Sequence, residues 1–111
     1  MQPIRVPVTS IISTLLTTSG LVLAQQNGQP QAGLALAKHV CTECHAVEKG
    51  TTISPNAAAP RFEVIANTPG MTAAAISAAL LTSHRTMPNL ILNGDERGDI
   101  IAYILSLKRA D

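Results

Sequence analysis

Cys41 and Cys44 are the only two cysteines in the chain, and His45 directly follows the second. On a helical turn, positions i, i+3 and i+4 share one face, so two thiols and an imidazole at this spacing point the same way. Thiols so placed can each add to a vinyl group along one edge of a haem. The next side chain then lies beneath the iron as its proximal ligand. C-x-x-C-H is the attachment pattern of a covalent c-type haem. Three simpler chemistries fit less well. A disulfide, common in secreted chains, leaves His45 without a task. A thioredoxin-like redox pair calls for a βαβ setting. A structural zinc needs four ligands, and Cys41, Cys44 and His45 with His39 or His84 do not have a standard zinc spacing.

The elements that must carry this motif read as helices throughout. Pro30 suits a first helical turn, and Gln31 to Val40, with Leu34, Ala35, Leu36 and Ala37, continues as a helix into Cys41. Lys49 to Pro60 is rich in breakers and reads as a loop, followed by a short turn over 61–66. After Pro69-Gly70, Thr72 is a natural N-cap for a helix from Ala73 to Thr82, with Ile76, Ala79 and Leu80 on one face. Ser83 to Leu92, interrupted by Pro88, is expected to be irregular. Asn93 with Glu96 three residues later is a capping box. It opens a last helix whose Ile100, Tyr103, Ile104 and Leu107 follow the spacing of a buried stripe. Asp95, Glu96 and Asp99 near its start and Lys108 and Arg109 at its end suit the helix dipole. No window alternates as a strand would, so the expected fold class is all-α.

The first residues have a different character. Arg5 is the only charge before Lys38, and 8–24 is uncharged and largely apolar, ending in Val22-Leu23-Ala24. A cationic start, an apolar stretch and a small-residue exit make a secretory signal, so the expected division is 1–24 signal peptide, cleaved after Ala24, and 25–111 a single domain. An uncleaved anchor is the alternative, but seven hydroxyl residues make the stretch polar and short for a span of about 20 apolar residues. Without Arg5 the basic and acidic residues balance at 7 each. No basic stripe points to nucleic acid and no charge run forms a tail. The aromatics are Phe62 and Tyr103 alone. A domain this small has much surface for its core, and a haem would fill its middle.

With these features in place, the sequence resembles the small monohaem class I cytochrome c family over nearly all of the expected mature chain, from about Gly33 to Leu107. Gly33, eight residues before Cys41, matches the family's glycine where the first helix packs closely on the last, and Tyr103 matches the aromatic of that last helix. Pro60, or alternatively Pro55, matches the proline whose carbonyl orients the proximal imidazole. Met87-Pro88 matches the distal methionine. At position 37 the family usually has an aromatic and this chain has alanine. The resemblance therefore implies lighter packing between terminal helices, leaning on Leu36 and Tyr103.

It further implies a small cytochrome c fold, with its N- and C-terminal helices packed around one covalent haem c. Cys41 and Cys44 would hold the haem, His45 would be the proximal iron ligand and Met87 the distal one. Met71 is expected to be an apolar contact near a helix start, and His84 is the competing distal ligand. Phe62, Ile76, Leu80, Ile100 and Ile104 are expected in the pocket wall. With both axial positions filled, the implied protein is a periplasmic one-electron carrier and no enzyme. It would be a monomer, meeting membranes only through donor and acceptor redox proteins. Rival readings are an open-site haem sensor, ligand binder or peroxidase-like protein, and a dedicated electron-accepting subunit of a dehydrogenase.

Overall fold

The structure, a computed structural model, describes residues 28–83 and 86–110. Four helices run in the order α1 (Pro30–Val40), α2 (Phe62–Ala66), α3 (Ala73–Leu81) and α4 (Gly94–Ser106), and no strand forms among the described residues. This is the all-α architecture expected, and α3 and α4 begin where their caps predict. Thr72 Oγ1 accepts from the Ala75 backbone N–H at 3.1 Å. At α4, Asn93 Oδ1 accepts from Glu96 N–H and Glu96 Oε2 accepts from Asn93 N–H, both at 2.9 Å. The expected signal and its cleavage point lie outside the described residues.

The first and last helices pack on each other more extensively than any other pair. Two glycines make their approach possible. A Cβ on Gly33 would lie 2.0 Å from the Asp99 carbonyl oxygen and 2.8 Å from Tyr103 Cβ. One on Gly28 would lie 2.1 Å from the Gly98 carbonyl oxygen and 2.9 Å from Ala102 Cβ. Gly28 therefore belongs to the packing of the terminal segments, although the polar residues around it read as a simple lead. Between the helices Ala37 is fully buried, while Leu36 stays partly exposed and packs at the edge of the core. The missing aromatic is thus met by close backbone approach, and Leu36 has no central part in it.

Asp99 has a second task. Its carboxylate accepts from the Gln29 backbone N–H at 2.7 Å, at the start of a helix with no side-chain cap and no acidic residue in its first turn. The charge thus sits where the α1 dipole favours it, supplied from the neighbouring helix.

The far end of α4 departs from expectation. The helix stops at Ser106 with no basic residue in its last turn, so Lys108 and Arg109 lie beyond it. Asn67, just after α2, draws the chain away instead. Its Nδ2 donates to Glu63 O at 2.7 Å and Leu107 O at 3.2 Å. Its Oδ1 accepts from Arg109 N–H at 2.9 Å. Lys108 Nζ in turn donates to Met71 O at 2.8 Å.

The Gly33 approach yields a direct test. Gly33→Ala forces backbone to move and should destabilise the protein by about 2–3 kcal/mol, in the range of overpacking, whereas Gly94→Ala, whose Cβ meets nothing within 4 Å, should cost much less. Denaturant titration of the two variants measures the difference.

Candidate functional site

Helix α1 ends at Val40, and Cys41 continues its last turn, donating its N–H to Ala37 O at 2.8 Å. The chain then closes a tight turn. Cys44 N–H and His45 N–H both reach back to Cys41 O, at 3.2 and 2.9 Å. This turn presents Cys41, Cys44 and His45 to one cavity of about 460 Å³, within the roughly 300–1,000 Å³ usual for cofactor sites. Both thiols are free. Burial pushes the Cys41 thiol up to about 11, so it lacks the thiolate character of a redox-active pair. Among the described residues, no three His, Cys, Asp or Glu side chains converge to hold a metal ion.

His45 is held from behind. Its Nδ1 lies 2.6 Å from the Pro60 carbonyl oxygen. A carbonyl can only accept, so Nδ1 carries the proton and the Nε2 lone pair is left for a ligand. Of the two candidate prolines, Pro60 is the partner. The segment leading to Pro60 is pinned around the imidazole. Ser54 Oγ accepts from Ala46 N–H at 3.0 Å, Asn56 N–H donates to Cys44 O at 3.1 Å, and Phe62 N–H donates to Ala46 O at 3.0 Å.

The rest of the wall is mostly apolar, with Glu43, Asn56, Thr68 and Thr86 as its polar members. Phe62, Ile76, Leu80, Ile100 and Ile104 all line the cavity, as their sequence positions predict. Met87 lines it from the irregular segment before α4, and Met71 also borders it. Met71 packs against the buried core and its backbone is tied at both N–H and C=O. His84 lies outside the described residues. The one ionised side chain on the wall is Glu43; none of the described lysines or arginines borders the cavity. A planar apolar group with two points of covalent attachment and a nitrogen ligand fits this donor set and this lining.

Comparison with known proteins agrees. The chain is 34% identical over 98 residues to cytochrome c-552 of Bradyrhizobium diazoefficiens, an alignment covering 88% of this chain and 90% of the relative. The chain belongs to the small class I c-type cytochromes. No family model matches the chain, and no solved structure matches it. Membership makes this cytochrome an electron carrier of the haem c type. Among the described residues no helix is long and apolar enough to cross a membrane.

This cytochrome's single tyrosine has a task that its helical spacing does not reveal. Tyr103 is only 6% exposed, and its hydroxyl donates to Val47 O at 2.6 Å. The last helix is thereby tied to the residue two beyond His45. Nothing local in the sequence marks a bond between positions so far apart. Val47 itself is buried, and its carbonyl would lose this partner if the hydroxyl were removed.

Burial first, then the nearby charges of Glu48 and Glu63, raise the Tyr103 phenol above its ordinary value. A phenol that holds its proton more tightly when folded stabilises the fold fully below the unfolded value of about 10, and this contribution is lost as pH rises through the higher folded value. Tyr103→Phe should therefore cost about 1–2 kcal/mol near neutral pH by stranding the Val47 carbonyl. It should also flatten the loss of stability above roughly pH 10. Chemical denaturation of both proteins across that range tests the sign.

Proposed function

We propose that this cytochrome is an exported, periplasmic one-electron carrier and no enzyme. In this reading one haem is bound covalently by Cys41 and Cys44, with His45 as proximal ligand and Met87 as distal ligand. The observation that carries it is the convergence of both thiols, the imidazole and the Met87 thioether on one apolar cavity. Each thiol would add across one vinyl double bond, sulfur to one carbon and hydrogen to the other, so attachment would need no oxidant. Bound in this way, the haem iron supplies reversible one-electron chemistry, and a thioether ligand favours the reduced state.

The chain's own residues do the rest. Pro60 O fixes the His45 tautomer, a partnership that raises the basicity of a metal-binding imidazole. Pro88 restrains Met87 toward an extended backbone. The irregular segment can adapt its side chain to the cavity, where a helix would present it at fixed spacing. Ile76, Ile100 and Ile104 exclude water, lowering the local dielectric around a site whose charge changes with each electron. With His45 and Met87 both holding the iron, no position would remain for a substrate. The partners are then donor and acceptor redox proteins, met by a monomer. The signal-like 1–24, ending Val22-Leu23-Ala24, supports export and a mature start at Gln25.

Intact-mass measurement on protein exported by a host with haem-ligation machinery tests attachment and processing together. The expected mass is one haem on a chain beginning at Gln25, and the haem should survive acid–acetone. Release of the haem, or an intact Met1 in the membrane fraction, contradicts the corresponding half of the reading. Substituting serine at Cys41 or Cys44 should weaken attachment.

The ligand assignment has its own test. Met87→Ala should turn the iron high-spin, open it to carbon monoxide and lower its potential. His84→Ala and Met71→Ala should leave the low-spin spectrum and its methionine–iron charge-transfer band unchanged. The reverse pattern for Met87 and His84 would make histidine the distal ligand, and carbon monoxide binding by the unaltered protein would favour an open-site haem protein.

A further inference from the structure

We propose that Phe62 is the positioning residue that sets the rotation of the His45 ring, and so the plane in which the imidazole meets the iron. The inference rests on the reading of His45 as proximal ligand. The Pro60 carbonyl holds His45 at Nδ1 only. Rotation about Cβ–Cγ carries Nδ1 along an arc, and a hydrogen bond tolerates a spread of angles, so a packed contact on the ring narrows its plane further. Phe62 provides it, its ring centroid 5.5 Å from that of His45 and inclined by 56°. This lies in the tilted range that aromatic quadrupoles favour. Phe62 is itself held on all sides. It is 4% exposed, its backbone N–H donates to the Ala46 carbonyl next to His45, and its ring meets Tyr103 at 6.4 Å and 51°.

Tyr103 is anchored in turn by its hydroxyl on Val47 O. His45, Phe62 and Tyr103 therefore form a ladder in which the imidazole plane is referred to α4. The chain has a single phenylalanine and a single tyrosine, and both are in this ladder. A leucine at position 62 could fill comparable volume, but it offers no aromatic ring to the imidazole. The plane of a ligating imidazole decides which iron d orbitals it overlaps. Rotation of the ring therefore alters the electronic distribution over the macrocycle without changing the ligand set.

The experiment compares holoproteins by ferric proton NMR and by potentiometry. Phe62→Leu should keep haem attached and low-spin, yet change the order of the haem methyl resonances and shift the reduction potential. Phe62→Tyr, which keeps the ring, should retain the order of the unaltered protein. Ile101→Ala is the control, since Ile101 is 4% exposed but is not among the cavity's lining residues. It should lose stability with the methyl order unchanged. An unchanged order in Phe62→Leu, or the same change in Ile101→Ala, reduces Phe62 to core filler and overturns the proposal. Should Phe62→Leu fail to accumulate, ring-to-ring nuclear Overhauser contacts between Phe62 and His45 in the unaltered ferrous protein decide, and their absence overturns it. An unaltered protein whose spectrum shows no histidine ligation removes the assignment of His45 itself, and this proposal with it.

Discussion

The close crossing of α1 and α4 at Gly33 is the constraint on which the rest of the molecule depends. With the Asp99 carbonyl lying where a Cβ on Gly33 would be, the position of α1 on α4 is set by backbone contact. The end of α1 then falls where Cys41 is buried and faces the same cavity as Ile100 and Ile104 on α4. Moving the crossing by one residue would turn the cysteines by about 100° around the helix and break their alignment with that wall. The placement of the two thiols thus depends on a glycine two helical turns away. Asp99 strengthens the arrangement by supplying both the carbonyl against Gly33 and the carboxylate at the head of α1.

The His45 side of the cavity is built from one stretch of chain returning on itself. Residues 46–62 leave His45, pass through the Ser54 and Asn56 bonds, and come back to place Pro60 O on His45 Nδ1. Such a loop is costly to order, because each residue fixed loses roughly 1–2 kcal/mol of backbone entropy. Its hydrogen bonds offset only part of that. The Tyr103 hydroxyl on Val47 O is a buried bond across 56 residues of sequence, and it lets the packed terminal helices hold the start of the loop. Rigidity made at the helix crossing is in this way carried to the imidazole.

How far the sequence revealed this follows the range of the interaction. The caps at Thr72 and Asn93, the stripe Ile100, Tyr103 and Ile104, and the cysteine motif were legible because each is written within one or two helical turns. Leu107 keeps the stripe's spacing and is buried, although the helix has ended before it. The five predicted wall residues could be identified because a haem-sized cavity leaves few other tasks for large apolar side chains in so small a core. Contacts between distant segments were not legible from periodicity. Gly28 sits among polar residues, and only the α4 backbone opposite it shows why it has no side chain. Asn67 is an ordinary polar residue in sequence, and its role comes from the two carbonyls and one N–H that the fold brings to it. The choice of Pro60 over Pro55 was equally a matter of loop path.

Charge is distributed to match this division of labour. Between Val64 and Gly94 the only ionisable side chains are His84 and Arg85. This stretch supplies the wall residues Ile76, Leu80 and Met87, together with Met71. An ion on this wall would have to be desolvated against an apolar group, at a cost that only a partner could offset. The charges are instead carried by the segments before and after, where Lys38 pairs with Glu48, Arg61 lies 3.9 Å from Glu63, and Asp95, Glu96 and Asp99 gather at the start of α4. A site with little fixed charge on its wall leaves the iron's own charge poorly compensated, and a poorly compensated oxidised state is the less stable one. The apolar wall would therefore act in the same direction as the proposed thioether ligand, both favouring the reduced carrier. On the proposed ligand set the two effects would have separate structural origins, one in α3 and α4 and the other in the segment that bears Met87.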